Sequence, residues 1–529
     1  MDPDSTRPRG RVVMLVDNGV HGDSRVQKTA RSAAEAGWEV ILLGILGKTS
    51  PEDSWMIGDA QVRLIKVPRP LAQHPLNLRR SLRRPLAYRP GRYATQRLNA
   101  LKARRLDLEQ RQVRLDEARR DGAGGSYLIG KLLLLPPRAT TKVRTQWARL
   151  RAGELKRLRS NQQNENLLLT RLSIQFWQKV MGPRSWRRLD PGLWDYEIAF
   201  GPVIDELEPD IIHANDFRMA GVGVRAAERA RALGRPTRVV WDAHEYVAGV
   251  LGREDNPRWL PAQIAYTAEH APRADAVVTV SSTLAELLRE VHSLPELPDV
   301  VLNAPDRVVD DARLAEPVPD LRALCGVGPD TPLLVYCGGV NPSRGLETMV
   351  DALPRLPGVH IALVTLHPTG NNTPSEEVRE RAVEAGVGDR VHLLPYVPHW
   401  QVSAFLAPAD AGIIPIHHKP NHELALITKF LEYSHARLPI VVSDVRTMAE
   451  TVRSTGQGEV FRAEDVPDYV RAVQAVLADP QRYRRAYDRP GLLDGWTWEA
   501  QAAVLDGVYR RLRPDVAPPV RQPADPVLR

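Results

Sequence analysis

The feature that constrains this chain most is an alternation. Short apolar runs are each followed by a stretch with helical spacing. Residues Val12 to Val16 read as a buried strand, and the Gly-containing loop DNGVHGDSR follows. Val26, Ala30, Ala33 and Ala34 then carry helical spacing as far as Gly37, and WEVILLG reads as a second strand. Strand, helix and strand in that order predict a parallel sheet with helices on both faces, because parallel neighbours need a crossover and doubly covered strands read as continuous apolar runs. The pattern resumes at 209–213, 238–242 and 274–280, which completes one α/β half. Residues 305–332 are rich in Pro, Asp and charge, as a linker is. A second series follows, with strands at 333–339, 359–365, 390–397, 411–416, 439–444 and 458–461. Two parallel-sheet domains facing a cleft are predicted, with ligands at the carboxyl ends of the strands.

At 529 residues the chain is long for one domain. Its two cysteines, Cys325 and Cys337, exclude a disulfide framework and a Cys-based zinc site. No run of ~18 apolar residues occurs, and MDPDSTRPRGR lacks the apolar stretch of a secretion signal, so the expected setting is the cytoplasm.

Charge divides the chain in two. The whole carries 72 basic and 64 acidic residues, a net +8. Residues 79–190 alone hold 28 basic and 8 acidic residues, a net +20, so the remainder stands at −12. Within this basic insert Leu101, Leu108 and Leu115 recur every seven residues, a Gly-rich break is expected at 122–125, and LLLLPP precedes a second helical stretch from about 142 to 181. A helical hairpin is the predicted form. Tyr127 is the only aromatic residue between 97 and 144, so the stacking platforms of a nucleic-acid surface are missing. Two readings of the insert stay open: attachment to an anionic membrane, and an arm packed on the acidic body or used for self-association.

Three segments of the second half, GGVNPSRGLETMVDAL (338–353), PYVPHWQVSAFLAPADAGIIPI and NHELALITKFLEYSHARLPIVVSD (421–444), resemble the C-terminal domain of GT-B glycosyltransferases of family 4. Asp23-x-Arg25-Val26-x-Lys28-x-Ala30, DIIHAND (210–216), DAHE (242–245), VTVSS (278–282) and LNAP (302–305) stand in the family's order. WTWEAQAAVLDGVYRRL resembles its terminal helix, which crosses back to the N-domain. The resemblance implies a GT-B α/β architecture: an N-terminal acceptor domain (1–304, carrying the insert), a linker (305–332), a C-terminal donor domain (333–490) and a terminal helix (491–513). A disordered tail is expected at 514–529. It further implies retaining transfer of a sugar from a nucleotide-sugar donor to an acceptor, which a membrane-attached insert would make lipid-linked or part of a cell-envelope glycan. The enzyme would then be peripheral at the membrane's inner face. A catalytically weak scaffold of the same fold is the alternative.

Such a transfer places growing negative charge on a diphosphate, which calls for fixed cations and backbone donors. Arg344, beside Gly345 after the first strand of the second half, and Lys429, near a helix start, are the candidates; the resemblance assigns both to the donor diphosphate, with Gly338 and Gly339 in the same loop. Glu432 matches the family's second paired glutamate, which holds the nucleotide ribose. The family spaces its pair with seven residues between, whereas Glu423 and Glu432 have eight, and position 424 is leucine. Either Glu423 still faces the donor sugar, or backbone amides at 424–428 replace it. On the acceptor side Gly19 and Gly22 allow close backbone approach, and Asp23 and Arg25 lie just beyond. His213, Asp216, Asp242, His244 and Glu245 sit at predicted strand ends, with His244 the foremost N-domain candidate for catalysis. None is an obvious general base, which suits a retaining reaction. His417, His418 and His422 are not aligned for a metal, so no metal site and no tightly bound cofactor are expected, and a divalent ion on the diphosphate is not required.

Overall fold

The computed structural model describes residues 10–47, 50, 52–71, 86–88, 93–120, 124–163, 168–253, 256–307, 316–365 and 374–518. Parts of the expected insert (79–85, 89–92, 121–123 with the first half of its Gly-rich break, and 164–167 in its second helical stretch), of the linker (308–315) and of the tail (519–529) lie outside these residues. The chain divides into two compact units. One takes the residues up to Val67, Tyr196–Val250 and everything from Tyr266 on; the other takes Pro68–Asp195 and Leu251–Ala265.

The first unit contains both sheets. Its N-terminal strands are β1 (Arg11–Leu15), β2 (Glu39–Ile45), β3 (Ser54–Ile57), β4 (Ala60–Ile65), β5 (Ile211–Asn215), β6 (Arg238–Ala243), β7 (Ala276–Thr279) and β8 (Asp299–Val300). Among the described residues they form one sheet in the order β3-β4-β2-β1-β5-β6-β7-β8, parallel except for β3. Alternate residues of β1 enter opposite cores: Val12 and Met14 pack with Val40 and Leu42, while Val13 and Leu15 pack with Leu43 and Ile212. The C-terminal strands are β9 (Leu333–Cys337), β10 (His360–Thr365), β11 (Val391–Pro395), β12 (Ala411–Ile414), β13 (Ile440–Ser443) and β14 (Gly458–Phe461). Their order is β11-β10-β9-β12-β13-β14, all parallel. Strand direction of travel reverses between β1 and β5 in the first sheet and between β9 and β12 in the second. Crevices at such switch points are where open α/β sheets hold ligands.

The terminal helix Trp498–Leu512 packs on the N-terminal sheet. Trp498, Leu505, Val508 and Tyr509 join the core under β1, and Trp38 Nε1 donates to Asp506 at 2.7 Å. Three sequence expectations need correction here. Residues 514–518, expected in a disordered tail, are seated: Val516 and Ala517 pack on the same core, and Gly10 N donates to Val516 O at 3.1 Å. The second half of the expected linker belongs to the C-terminal domain. Asp320 caps a short helix, Leu321–Cys325, whose Leu321 and Cys325 are buried in that core. The hairpin of β3 and β4 was not anticipated; its alternation of buried Ala60, Val62 and Leu64 with exposed polar residues is a half-covered edge.

The second unit is helical. Helices Tyr93–Arg120 and Gly124–Gln163 pack against each other, followed by Leu168–Met181. Tyr127, Leu134, Thr141, Ala148 and Leu155 are buried along the second helix at seven-residue steps, facing the Leu101 and Leu108 series of the first. This continuous seam is why the helix starts at Gly124, inside the expected break, and runs through Pro136 and Pro137. Each proline removes one helical donor; Thr141 Oγ1 adds a bond to Pro137 O at 2.7 Å but does not replace that donor, so the packed seam carries the helix through. The unit also recruits 251–265, which the sequence reading left in the N-domain: Gln263 Nε2 donates to Asp190 Oδ2 at 3.2 Å and Arg258 Nη2 to Ser173 Oγ at 3.2 Å.

Candidate active site

At the end of β9 the chain must turn away from the sheet while leaving room for a side chain from below. Lys429 enters through this gap from the helix Thr428–His435. Its Nζ donates to Tyr336 Oη at 3.1 Å and lies 4.2 Å from the centre of that ring. Gly338 has φ +149°, and a Cβ there would stand 2.2 Å from Lys429 Nζ. Only glycine leaves the ammonium its path. Burial, helped by the nearby positive charge of Arg344, lowers the Lys429 pKa from 10.5 to about 7.

Arg344 ends the short turn Pro342–Arg344, which Asn341 caps through its side chain. Gly345 follows with φ +68°, where a Cβ would meet Pro415 O at 1.9 Å, and starts the helix Leu346–Ala352. The turn therefore cannot be relaxed by substitution. Arg344 is half-buried, and its Nε has no hydrogen-bond partner among the described residues. A guanidinium with an unmet buried donor beside a half-neutralised lysine is a pair built to receive an anion.

Glu432 lies one turn beyond Lys429. Lys429 and Arg437 stand within helical reach for an ion pair, but Arg437 pairs instead with Asp488, and Glu432 makes no ion pair with a described residue. Burial raises its pKa, against the pull of Lys429 and Lys28. Lys429, Glu432, Gly338 and Gly22 together line a cavity of about 530 Å³, with Tyr396, Trp400 and Phe405 among its apolar walls. Glu432 is the only carboxylate among those lining residues. Gly22 has open space where a Cβ would stand.

Glu423 is not brought into this cavity. It lies in the short helix Pro420–Leu424, where Oε2 accepts from Arg446 N at 2.7 Å and Oε1 bonds His418 Nδ1. His418 Nε2 in turn meets Asp444 Oδ1 at 2.9 Å. The carboxylate thus caps the helix Arg446–Thr455. Gly339 accepts from Tyr336 Oη at 2.7 Å through its carbonyl and fixes the same loop.

The N-domain candidates form a second, adjoining cluster. Asp242, at the end of β6, is 1% exposed and takes a two-point contact from Arg25, Nε to Oδ2 at 3.1 Å and Nη2 to Oδ1 at 3.0 Å. His244 Nε2 lies 3.2 Å from Asp242 Oδ2, and His244 Nδ1 lies 3.3 Å from Asp216 Oδ1. Burial alone would lower the His244 pKa, but Asp242 and Asp216 outweigh it and raise it to about 10. The ring is therefore an imidazolium at neutral pH. It can donate hydrogen bonds but has no lone pair to accept an acceptor's proton. Asp216 sits at φ +65°, a strained position for a non-glycine residue at the start of a helix. His213 lies between Asp242 Oδ2 (3.4 Å) and Tyr509 Oη (2.8 Å). Glu245 is half-buried, and burial together with Asp216 raises its pKa. Asp23 caps the first helix, Ser24–Glu35, by accepting from Val26 N at 3.2 Å, and Gly19 packs toward Ile45 O. Arg25 and Asp23 are thus spent on structure.

Sequence reasoning missed Tyr336 and Tyr509, and it named Lys28 only as a member of a motif. Tyr336 stood inside a run read only as strand. Lys28 Nζ donates to Ala304 O at 2.5 Å and lies 4.8 Å from the Trp498 ring, a tie to residues far along the chain that no local spacing announces.

Comparison with known proteins agrees with this geometry. Residues 331–479 match the family described as glycosyl transferases group 1, and residues 166–306 match glycosyltransferase family 4. The chain belongs to the GT-B glycosyltransferases of the family 4 type, which use a nucleotide-sugar donor. It is 26% identical over 316 residues to a glycogen synthase of Mycobacterium tuberculosis strain H37Rv, covering 57% of this chain and 68% of that one. It is 28% identical over 281 residues to a GDP-mannose-dependent alpha-(1-6)-phosphatidylinositol monomannoside mannosyltransferase of Mycolicibacterium smegmatis, covering 50% and 69%. Among solved structures, sucrose-phosphate synthase from Thermosynechococcus elongatus superposes with a TM-score of 0.59 at 16% identity over 95% of this chain and 99% of that one.

Proposed function

We propose that the protein transfers a hexosyl group with retention, from a nucleoside diphosphate sugar to a hydroxyl of a polyhydroxylated acceptor. The observation that supports this most directly is Lys429, threaded past Gly338 into the cavity lining, with the unmet guanidinium of Arg344 near enough to act on its charge. In this reading the two cations hold the diphosphate as its charge grows, and Glu432 accepts from the ribose hydroxyls. The bond from the anomeric carbon to the phosphate oxygen breaks while the acceptor oxygen bonds on the same face. The departing phosphate oxygen takes the acceptor's proton. Charged His244, with its two N–H groups turned to Asp242 and Asp216, fixes the charge of that cluster and takes no proton. Arg344 and Lys429 carry the diphosphate charge, so the reading needs no divalent ion.

The relatives are named a glycogen synthase and a GDP-mannose-dependent phosphatidylinositol monomannoside mannosyltransferase, names that suit a polyhydroxylated acceptor. A donor of this class is a cytoplasmic metabolite, and the reaction is placed there. The test is a thermal-shift screen with nucleoside diphosphates and their sugars, where saturation a hundredfold above Kd adds ~2.7 kcal/mol. Product made with the active donor is then assigned by NMR. An inverted anomer, or no shift with any nucleotide, refutes the proposal. A second reading, a scaffold with weak catalysis, draws on the commitment of Glu423 to a helix cap. It requires donor binding without turnover or donor hydrolysis.

A further inference from the structure

The helix Gly124–Gln163 presents two opposite faces. One is the buried seam of Tyr127, Leu134, Thr141, Ala148 and Leu155. At 100° per residue, Leu128, Ile129, Leu132, Val143, Trp147 and Leu150 fall within about 60° of the direction opposite that seam. All six are exposed, from 49% for Trp147 to 71% for Leu132. From Leu128 to Leu150 this ridge runs ~33 Å along the helix. The charges beside it have one sign: residues 124–153 contain six basic residues, Lys131, Arg138, Lys142, Arg144, Arg149 and Arg151, and no acidic one. They fall on the two flanks between ridge and seam. Among the described residues no helix is long and apolar enough to cross a membrane.

We infer that this ridge lies in the surface of an anionic lipid bilayer, its leucines and Trp147 among the upper acyl chains and its flanking cations against the phosphates. An apolar stripe bordered on both sides by lysine and arginine is the pattern of a helix that rests in the interface. Each cation near such a surface adds attraction. A second copy laid face to face on the same ridge brings six cations against six, which charge complementarity disfavours. The inference stands apart from the catalytic reading and rests on residues outside both matched families.

The test is flotation of the full chain with vesicles of phosphatidylcholine alone or mixed with phosphatidylglycerol. Wild type should float with the mixed vesicles at low salt, not with phosphatidylcholine alone, and release as salt rises. Combined Lys131→Gln, Arg138→Gln, Lys142→Gln and Arg149→Gln should weaken binding ~100-fold or more. Combined Leu132→Gln, Val143→Gln and Trp147→Gln should abolish it, with helix content by circular dichroism unchanged because all three sites are exposed. Three results overturn the inference. The first is no flotation of wild type at low salt. The second is undiminished binding by the ridge variant. The third is a wild-type dimer that the ridge variant converts to monomer in the absence of lipid, which would give the ridge to a second copy.

Discussion

Donor binding should draw a proton from solution. Lys429 in the ligand-free protein titrates near pH 7, because burial and Arg344 oppose its charge, and Tyr336 is its ammonium's one hydrogen-bond partner among the described residues. A nucleotide sugar carries a diphosphate diester whose charge is constant from pH 6 to 9, so the titration seen in binding belongs to the protein. If the diphosphate pairs with charged Lys429, the free enzyme must first be protonated. The charged fraction is about nine-tenths at pH 6, half at pH 7 and one-tenth at pH 8, so affinity should fall roughly tenfold from pH 6 to 8 and about tenfold more by pH 9, ~1.4 kcal/mol for each tenfold step. The same depressed pKa means that stability of the ligand-free protein rises with pH between about 7 and 10.5, where the unfolded chain binds the extra proton. Calorimetry in buffers of different ionisation enthalpy measures the uptake: near zero at pH 6, ~0.5 at pH 7 and approaching one proton at pH 8 to 9. Lys429→Met should bind weakly at every pH and take up no proton. A wild-type affinity flat from pH 6 to 9, with no proton uptake at pH 8, refutes the assignment of Lys429 to the diphosphate.

Glu432→Gln should weaken donor binding by ~1–3 kcal/mol without lowering the melting temperature much, since no described residue pairs with it; equal donor affinity by calorimetry would remove it from the ribose role. Gly338→Ala should cut turnover ~100-fold, because the methyl displaces the Lys429 ammonium by an ångström or more, and initial rates at wild-type level would show that the ammonium's place is unimportant. Asp242→Asn leaves Arg25 buried without its counter-charge and should cost ~3–5 kcal/mol in denaturant unfolding. In the same variant the His244 titration, read by NMR, should fall well below its wild-type value near 10; in wild type the stability it contributes is full below pH 6.5 and lost as pH rises through about 10.

The strands were legible because a doubly covered parallel strand has to be an unbroken apolar run, and 458–461 matched to the residue. Gly338, Lys429 and Glu432, which line one cavity, were singled out through ordered motifs and not through spacing. What stayed hidden depends on partners distant in sequence. Nothing local distinguishes a glutamate facing a sugar from one capping the helix that begins at Arg446, so Glu423 was undecided until the fold supplied His418 and the Arg446 amide. Two adjacent prolines argue for a helix break, and the break was averted by a seam whose other half lies on a separate helix. Arg25 and Asp242 were read as cleft residues, but they are 217 positions apart and neutralise each other inside the domain.

The terminal helix also sets an order of events during synthesis. Core residues of the N-terminal sheet include Trp498, Leu505, Val508 and Tyr509, and His213 finds its tyrosine partner only 296 positions later. A ribosome releasing this chain delivers β1 to β8 long before the segment that closes their core. The first-made sheet therefore waits with an apolar trough open while the whole second sheet and its helices emerge and fold. Contacts of such long separation form slowly, and exposed apolar surface in the interval invites aggregation. The helix Trp498–Leu512 acts as a checkpoint: a product truncated before Trp498 can complete its C-terminal sheet yet leaves the N-terminal sheet's core unsealed.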